Sequence, residues 1–286
     1  MIWRRGTLTV VLIGLLAGCS TLRVSTPAEC LDVPAPQYEQ YENLLARVMH
    51  DGQVDFQTLK ANPADLERFV HRLGCHGPIK TPDAFPDDAS KLAYWVNAHN
   101  AVALLAAVRK YPAKRLKPPF GDFAQTTTAW IDGRHLSLAQ IAQFARSARP
   151  DDPRVDLALA YPTKGGGSRF GFVLKPREDL VQQLHSLFVR SLDDSAAINI
   201  DHARWTLWLG RPIWDNRDRY LAQYRDQYGT AAGNIVNALA DLANPSQRRR
   251  LNTAIGYKIK PQSYDWSLNA SEPYKCSLSE STEVVR

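Results

Sequence analysis

The sequence predicts an α+β fold, a single mostly helical domain with a small antiparallel sheet. Three observations carry this. Apolar residues recur at helical spacing along much of the chain. Two short segments alternate around turn signals and read as strand hairpins. Helices and strands then follow one another without the regular βαβ order that a doubly wound sheet requires. No internal repeat and no clear break divides the chain.

Each element has a local reason. From Pro36 to about His50, Tyr38, Tyr41, Leu44, Leu45 and Val48 fall at helical spacing, and Asp51-Gly52 ends the run as a turn. Ala64 to Leu73 predicts a second amphipathic helix with Leu66, Phe69, Val70 and Leu73 on one face. Asp88 to Tyr111 is the most apolar stretch after the N-terminus and leaves almost no polar face. Such a helix belongs at the centre of a domain, and Pro112 stops it. Trp130 to Leu136 reads as a hairpin around Asp132-Gly133, after which Ser137 caps a helix to about Ala148. Arg154 to Tyr161 alternates and predicts a strand; Gly165-Gly166-Gly167 predicts a loop. Glu178 to Leu192 reads as a helix and Ala197 to Leu209 as a second hairpin. Helices over Arg217–Tyr228 and Ala231–Leu242 and a short strand over Tyr257–Ile259 complete the pattern.

The N-terminus reads as an export signal. Arg4 and Arg5 precede an apolar run from Leu8 to Leu16, then Leu16-Ala17-Gly18-Cys19. The run is shorter than the roughly 20 apolar residues a spanning helix needs. The four residues Leu-Ala-Gly-Cys resemble the lipobox of bacterial lipoproteins, which implies cleavage before Cys19 and lipidation of its thiol. Ser20 resembles an outer-membrane address, so the expected place is the cell envelope, lipid-anchored and facing the periplasm. This divides the chain into a signal peptide (1–18), a Ser/Thr/Pro-rich tether (19–35), the domain (36–270) and a C-terminal tail (271–286).

Composition bounds the rest. An apolar content of 44% and a charged content of 22% suit a globular domain. The formal charge of +6 is spread out, and Arg248-Arg249-Arg250 alone is no nucleic-acid footprint but a solvated helix end. Partners are therefore expected to be the membrane, through the anchor, and an envelope protein or peptide, not nucleic acid. With Cys19 lipidated, three cysteines remain, so at most one disulfide forms. We assign it to Cys30 and Cys75; spacing leaves pairing with Cys276 open. No CxxC or HExxH spacing occurs, so neither a metal site nor a cofactor is expected.

Three segments give a wider resemblance. Tyr94-Trp95-Val96-Asn97-Ala98-His99-Asn100-Ala101, the run Leu136-Ser137-Leu138 with Asp152-Pro153-Arg154-Val155 beyond it, and Tyr264-Asp265-Trp266-Ser267-Leu268-Asn269 resemble the bacterial and plant family called domain of unknown function 547. The order matches over roughly 37–270. The resemblance implies a fold distantly like papain or transglutaminase, with a cysteine and a histidine brought together. A neighbouring imidazole would lower the thiol pKa and make a nucleophile. This chain departs there: Gln143 stands where the family has histidine, and Tyr161 and Gly166 stand where it has cysteines.

That joint loss predicts a non-catalytic binding or scaffold lipoprotein, a pseudoenzyme with no assigned catalytic residue. Two other readings stay open: a thiol-independent hydrolase or transferase acting on envelope peptides or amides, and a periplasmic small-ligand carrier. The carrier reading uses Asn97, His99 and Asn100 with Lys164 as a polar pocket beside the glycine loop. Cys19→Ala is expected to abolish labelling of the chain by radioactive palmitate in the native host; undiminished labelling would remove the anchor.

Overall fold

The computed structural model describes residues 22–23, 30–116, 122–176, 179–229 and 233–271. The signal segment, Cys19, Cys276 and residues 272–286 lie outside them.

Leu22–Arg23 (β1) leads the described chain. Tyr38–Val48 (α1) buries Tyr41, Leu44, Leu45 and Val48 of the periodic residues read from the sequence and leaves Tyr38 half-buried. Asp51-Gly52 then turns Met49–His50 (β2) back on Gln53–Val54 (β3), both turn residues lying at positive φ. Asp55 accepts the Thr58 N–H and starts a short helix, Phe56–Ala61 (α2). Ala64–Cys75 (α3) follows. A reciprocal cap between Asp87 and Ser90 then opens the central helix, Asp88–Lys110 (α4). Every residue from Leu92 to Val108 is buried, as a helix apolar on all sides requires.

The hairpin forms around Asp132-Gly133, both at positive φ, between Thr127–Ile131 (β4) and Arg134–Ser137 (β5), preceded by the single turn Phe123–Thr126 (α5). Ser137 caps Leu138–Ala148 (α6) with Gln140 as its reciprocal partner. Helix α6 packs along α4, where the Trp95 and Phe144 rings stack at 4.5 Å.

Downstream come Val155–Ala158 (α7), Leu180–Leu192 (α8), Ile198–Asp201 (β6), Thr206–Leu209 (β7), Arg211–Trp214 (α9), Arg217–Tyr228 (α10), Ile235–Leu242 (α11), Pro245–Asn252 (α12) and Lys258–Pro261 (β8). The fold is α+β and mostly helical, with small sheets of two or three strands. The hairpins are antiparallel, as expected. Two of them gain a parallel edge that the sequence does not announce, β1 beside β4 and β8 beside β7.

Three local expectations change. Arg154 to Tyr161 forms no strand but the turn of α7 and an extended run. Its alternating polar positions face no solvent: Asp152, Arg154 and Asp156 are all buried. Arg154 grips Asp152 through Nε and Nη2 at 2.8 and 2.7 Å, and its own N–H returns to the same carboxylate. The glycine run is a 3-10 turn, not an open loop, within Lys164–Arg169. A Cβ on Gly166 would lie 2.0 Å from the Tyr161 carbonyl oxygen, and Gly167 holds φ at 57°. The arginine triplet is the exposed helix end read from the sequence, in the second half of α12, where Arg248 also donates through Nε to the Ala240 carbonyl. Within the stretch read as a tether, Leu22 and Arg23 pair with Thr127 and Thr128, and Cys30 is bonded to Cys75 in a disulfide with Cα atoms 5.2 Å apart.

One contiguous apolar cluster runs from Tyr41 to Leu268 with α4 at its centre. Two amides on α4 tie irregular chain to it. Asn97 donates to the Leu174 carbonyl at 2.7 Å and accepts the Leu174 N–H at 3.0 Å. Asn100 does the same for Ala158 and Ala160, at 2.9 and 3.2 Å. Asn97→Leu keeps the volume but strands two buried peptide groups at Leu174. It is expected to lower stability by about 2–4 kcal/mol in urea unfolding; a change below about 0.5 kcal/mol would remove the clamp from the account of this fold.

Candidate functional site

A cleft of about 410 Å³ opens where α5, α6, α7 and α9 meet the C-terminal segment. That volume suits a small ligand. Its walls are set by the elements just described. Helix α6 ends in Arg146, α7 carries Asp156, and the Asn100 clamp fixes the chain that leads to Tyr161. Gly210 begins α9 and so places Arg211 and Pro212 at the rim.

The far wall comes from the chain end. Residues 264–271 are laced across three earlier segments: Leu116 N–H to Trp266 O, Lys164 N–H to Ser267 O, and Val54 N–H to Asn269 O, at 2.8–3.0 Å. The lacing brings Tyr264 and Trp266 beside Tyr161. Ring centroids are 4.6 Å apart for Tyr264–Trp266 and 5.9 Å for Tyr161–Trp266.

Charge is arranged in pairs. The Asp156 carboxylate is 1% exposed, and each of its oxygens meets a guanidinium. Arg146 Nε donates to Oδ1 at 2.6 Å, and Arg219 Nη1 donates to Oδ2. A buried carboxylate is tolerable only with such partners. Arg211 Nε donates to Asp215 Oδ2 at 3.2 Å in a half-exposed pair. Burial pushes the Tyr161 phenol above its ordinary range. The Tyr264 and Asp122 charges add to this, while Arg146 and Arg211 pull it back.

His99 reaches the cleft from α4. Its Nδ1 donates to Asn100 Oδ1 at 3.0 Å, so Nε2 carries the lone pair. Burial pushes the imidazole down to about 4, against the pull of the Asn100 hydrogen bond, and the Arg146 charge adds to the push. It is neutral near pH 7.

A second hollow of about 190 Å³ adjoins the first and shares Arg211 and Tyr264 with it. Lys164 and Gln262 stand on its wall. The Gln262 Oε1 atom is buried there without a hydrogen-bond partner.

The residues singled out from sequence separate accordingly. His99 lines the main cleft and Lys164 the smaller hollow. Asn97 and Asn100 line neither; the backbone occupies both ends of each amide. Of the three positions where the chain departs from the family pattern, Tyr161 faces the cleft, Gln143 is exposed on α6, and Gly166 packs under the Tyr161 carbonyl. Sequence reasoning missed Arg146, Asp156 and Arg211. Arg146 follows Ala142 by one helical turn on the same face, the one local sign that α6 presents it to the cleft. Asp265-Trp266 reads as a structural pair, yet Trp266 also walls the cleft. Among the described residues no group of three or more His, Cys, Asp or Glu could hold a metal ion, and no helix is long and apolar enough to cross a membrane.

Comparison with protein-family models, with curated proteins and with solved structures returned no match to this chain.

The buried imidazole makes stability depend on pH. Its folded pKa of about 4 lies below the ordinary 6.5, so the unfolded chain takes up the proton first. The neutral-pH stability is intact above about 6.5 and falls as the pH drops towards 4, by about 3 kcal/mol from this group. His99→Gln is expected to flatten that part of the urea-midpoint profile. A profile with the wild-type slope would show that His99 is not the titrating group.

Proposed function

We propose that the chain is a lipid-anchored protein of the cell envelope, held to the membrane through Cys19, and a non-catalytic binding member of the domain of unknown function 547 family. Its domain takes a small polar ligand into the cleft between His99 and Trp266. The observation that carries this is the cleft itself: a small-ligand volume with an aromatic wall on one side and hydrogen-bonding charge on the other. Tyr161, Tyr264 and Trp266 offer flat apolar faces, while Arg146, Arg211 and Asp122 offer orientation. Among the described residues that line it, none is Ser, Thr or Cys. That favours binding over the acyl transfer which the family's thiol and imidazole would support. The envelope location rests on the N-terminal sequence.

A second reading has one specific observation in its favour. His99 is neutral, oriented by Asn100 and set in a cleft wall, which is what a general base needs. On this reading the protein hydrolyses an envelope amide by activating water directly.

One experiment separates the two. The lipidated wild-type protein and its Trp266→Ala variant are purified from envelopes, and bound small molecules are extracted and compared by mass spectrometry. Enrichment of a compound with the wild type alone, recovered unchanged after incubation in ¹⁸O water, is the expected result. Incorporation of ¹⁸O that is lost in His99→Gln would transfer the protein to the hydrolase reading. Equal recovery from both proteins would remove the cleft as the binding site.

A further inference from the structure

We propose that the ligand is an elongated organic anion whose carboxylate or phosphate is gripped jointly by Arg146 and Arg211. The inference rests on the ligand-binding reading above and names the chemistry of what that cleft takes.

Each guanidinium is fixed in the same way. Arg146 holds Asp156, and Arg211 holds Asp215, through Nε. No bond from the terminal nitrogens of either occurs among the described residues. A guanidinium pinned at Nε keeps its plane, and its two Nη groups stay available to an oxyanion in a forked arrangement. Both side chains line the main cleft together with Tyr161.

The acidic groups nearby do not cancel this. Asp156 is buried and shared between Arg146 and Arg219, and Asp215 is engaged by Arg211. Asp122 accepts the Ala124 N–H as the cap of α5 and lines the cleft. It disfavours a second anionic group on that side and suits a hydroxyl or amine donor. His99 contributes no charge near neutral pH.

The geometry also gives the ligand length. The oxyanion site is not at a dead end, because Arg211 and Tyr264 belong to both hollows. A ligand anchored at Arg211 can lie across the Tyr264 ring and continue into the smaller space. There Lys164 supplies a second cation, with the Asp265 carboxylate beside it.

The test uses the full chain in calorimetry with four probes: hippurate, its neutral amide hippuramide, phenyl phosphate and acetate. Hippurate or phenyl phosphate is expected to bind about tenfold or more tightly than hippuramide, as a charge-assisted hydrogen bond implies. Acetate should bind more weakly than hippurate for want of a body. Arg211→Gln should erase the preference for the charged probes. Arg146→Gln would also leave Asp156 short of a partner, so Asp215→Asn serves as the second variant. It removes the carboxylate that pins Arg211 at Nε and should weaken hippurate more than hippuramide; hippurate bound as tightly as by the wild type would overturn the pinned-guanidinium account. Binding of hippurate alone, or of phenyl phosphate alone, supports the inference and identifies the oxyanion. Equal binding of hippurate and hippuramide overturns it while the ligand-binding reading stands. Acetate as tight as hippurate overturns the elongated part. Failure of all four probes at millimolar concentration overturns both.

Discussion

Asn97 and Asn100 stand in the middle of a helix that has no solvent-facing side, and the two irregular segments they hold depend on them. An asparagine side chain carries the same donor and acceptor as a peptide group. Placed on α4 at positions three apart, the two amides act as backbone for chain that has no strand beside it. Asn97 completes Leu174, and Asn100 completes Ala158 and Ala160. Each unpaired group in that core would be unfavourable by about 1–3 kcal/mol. The clamps therefore fix where the chain enters and leaves the glycine turn.

Position then passes from core to cleft in a short series. Fixing Ala158 and Ala160 places Asp156 on one side and Tyr161 on the other. Asp156 is locked by Arg146 of α6 and Arg219 of α10, which joins the two halves of the chain around one buried carboxylate. Tyr161 packs against Trp266, and Gly166 must be glycine because the Tyr161 carbonyl lies where a Cβ would go. The C-terminal segment closes the arrangement. It bonds to Val54, Leu116 and Lys164, residues far apart in sequence, so it can settle only after those segments are in place.

The same side chains are structural on one edge and exposed on the other. The Nε atoms of Arg146 and Arg211 hold aspartates while both residues line the cleft, and His99 gives one ring nitrogen to Asn100. Groups held at one end lose little freedom when a ligand arrives, which is the condition for a small cleft to bind well.

The sequence by itself determined the elements whose signals are local. The central helix follows from an apolar run closed by Pro112, the hairpin from Asp132-Gly133, and the α6 start from Ser137. It also set the chemical vocabulary: an N-terminal Leu-Ala-Gly-Cys that resembles a lipobox, and a domain without cysteine or histidine at Tyr161, Gly166 and Gln143. What only the tertiary structure decided is which polar residues face inward. Alternation from Arg154 to Tyr161 reads as a strand because polar residues are ordinarily exposed, but Asp152, Arg154 and Asp156 are buried in ion pairs with partners up to 63 residues away. No local window of sequence contains the Arg219 partner of Asp156. For the same reason Asn97 and Asn100 read as a polar pocket, and Arg146 and Arg211 passed unnoticed. A side chain's type is local, whereas the choice between satisfying the core and facing a ligand is made by whatever the fold brings beside it.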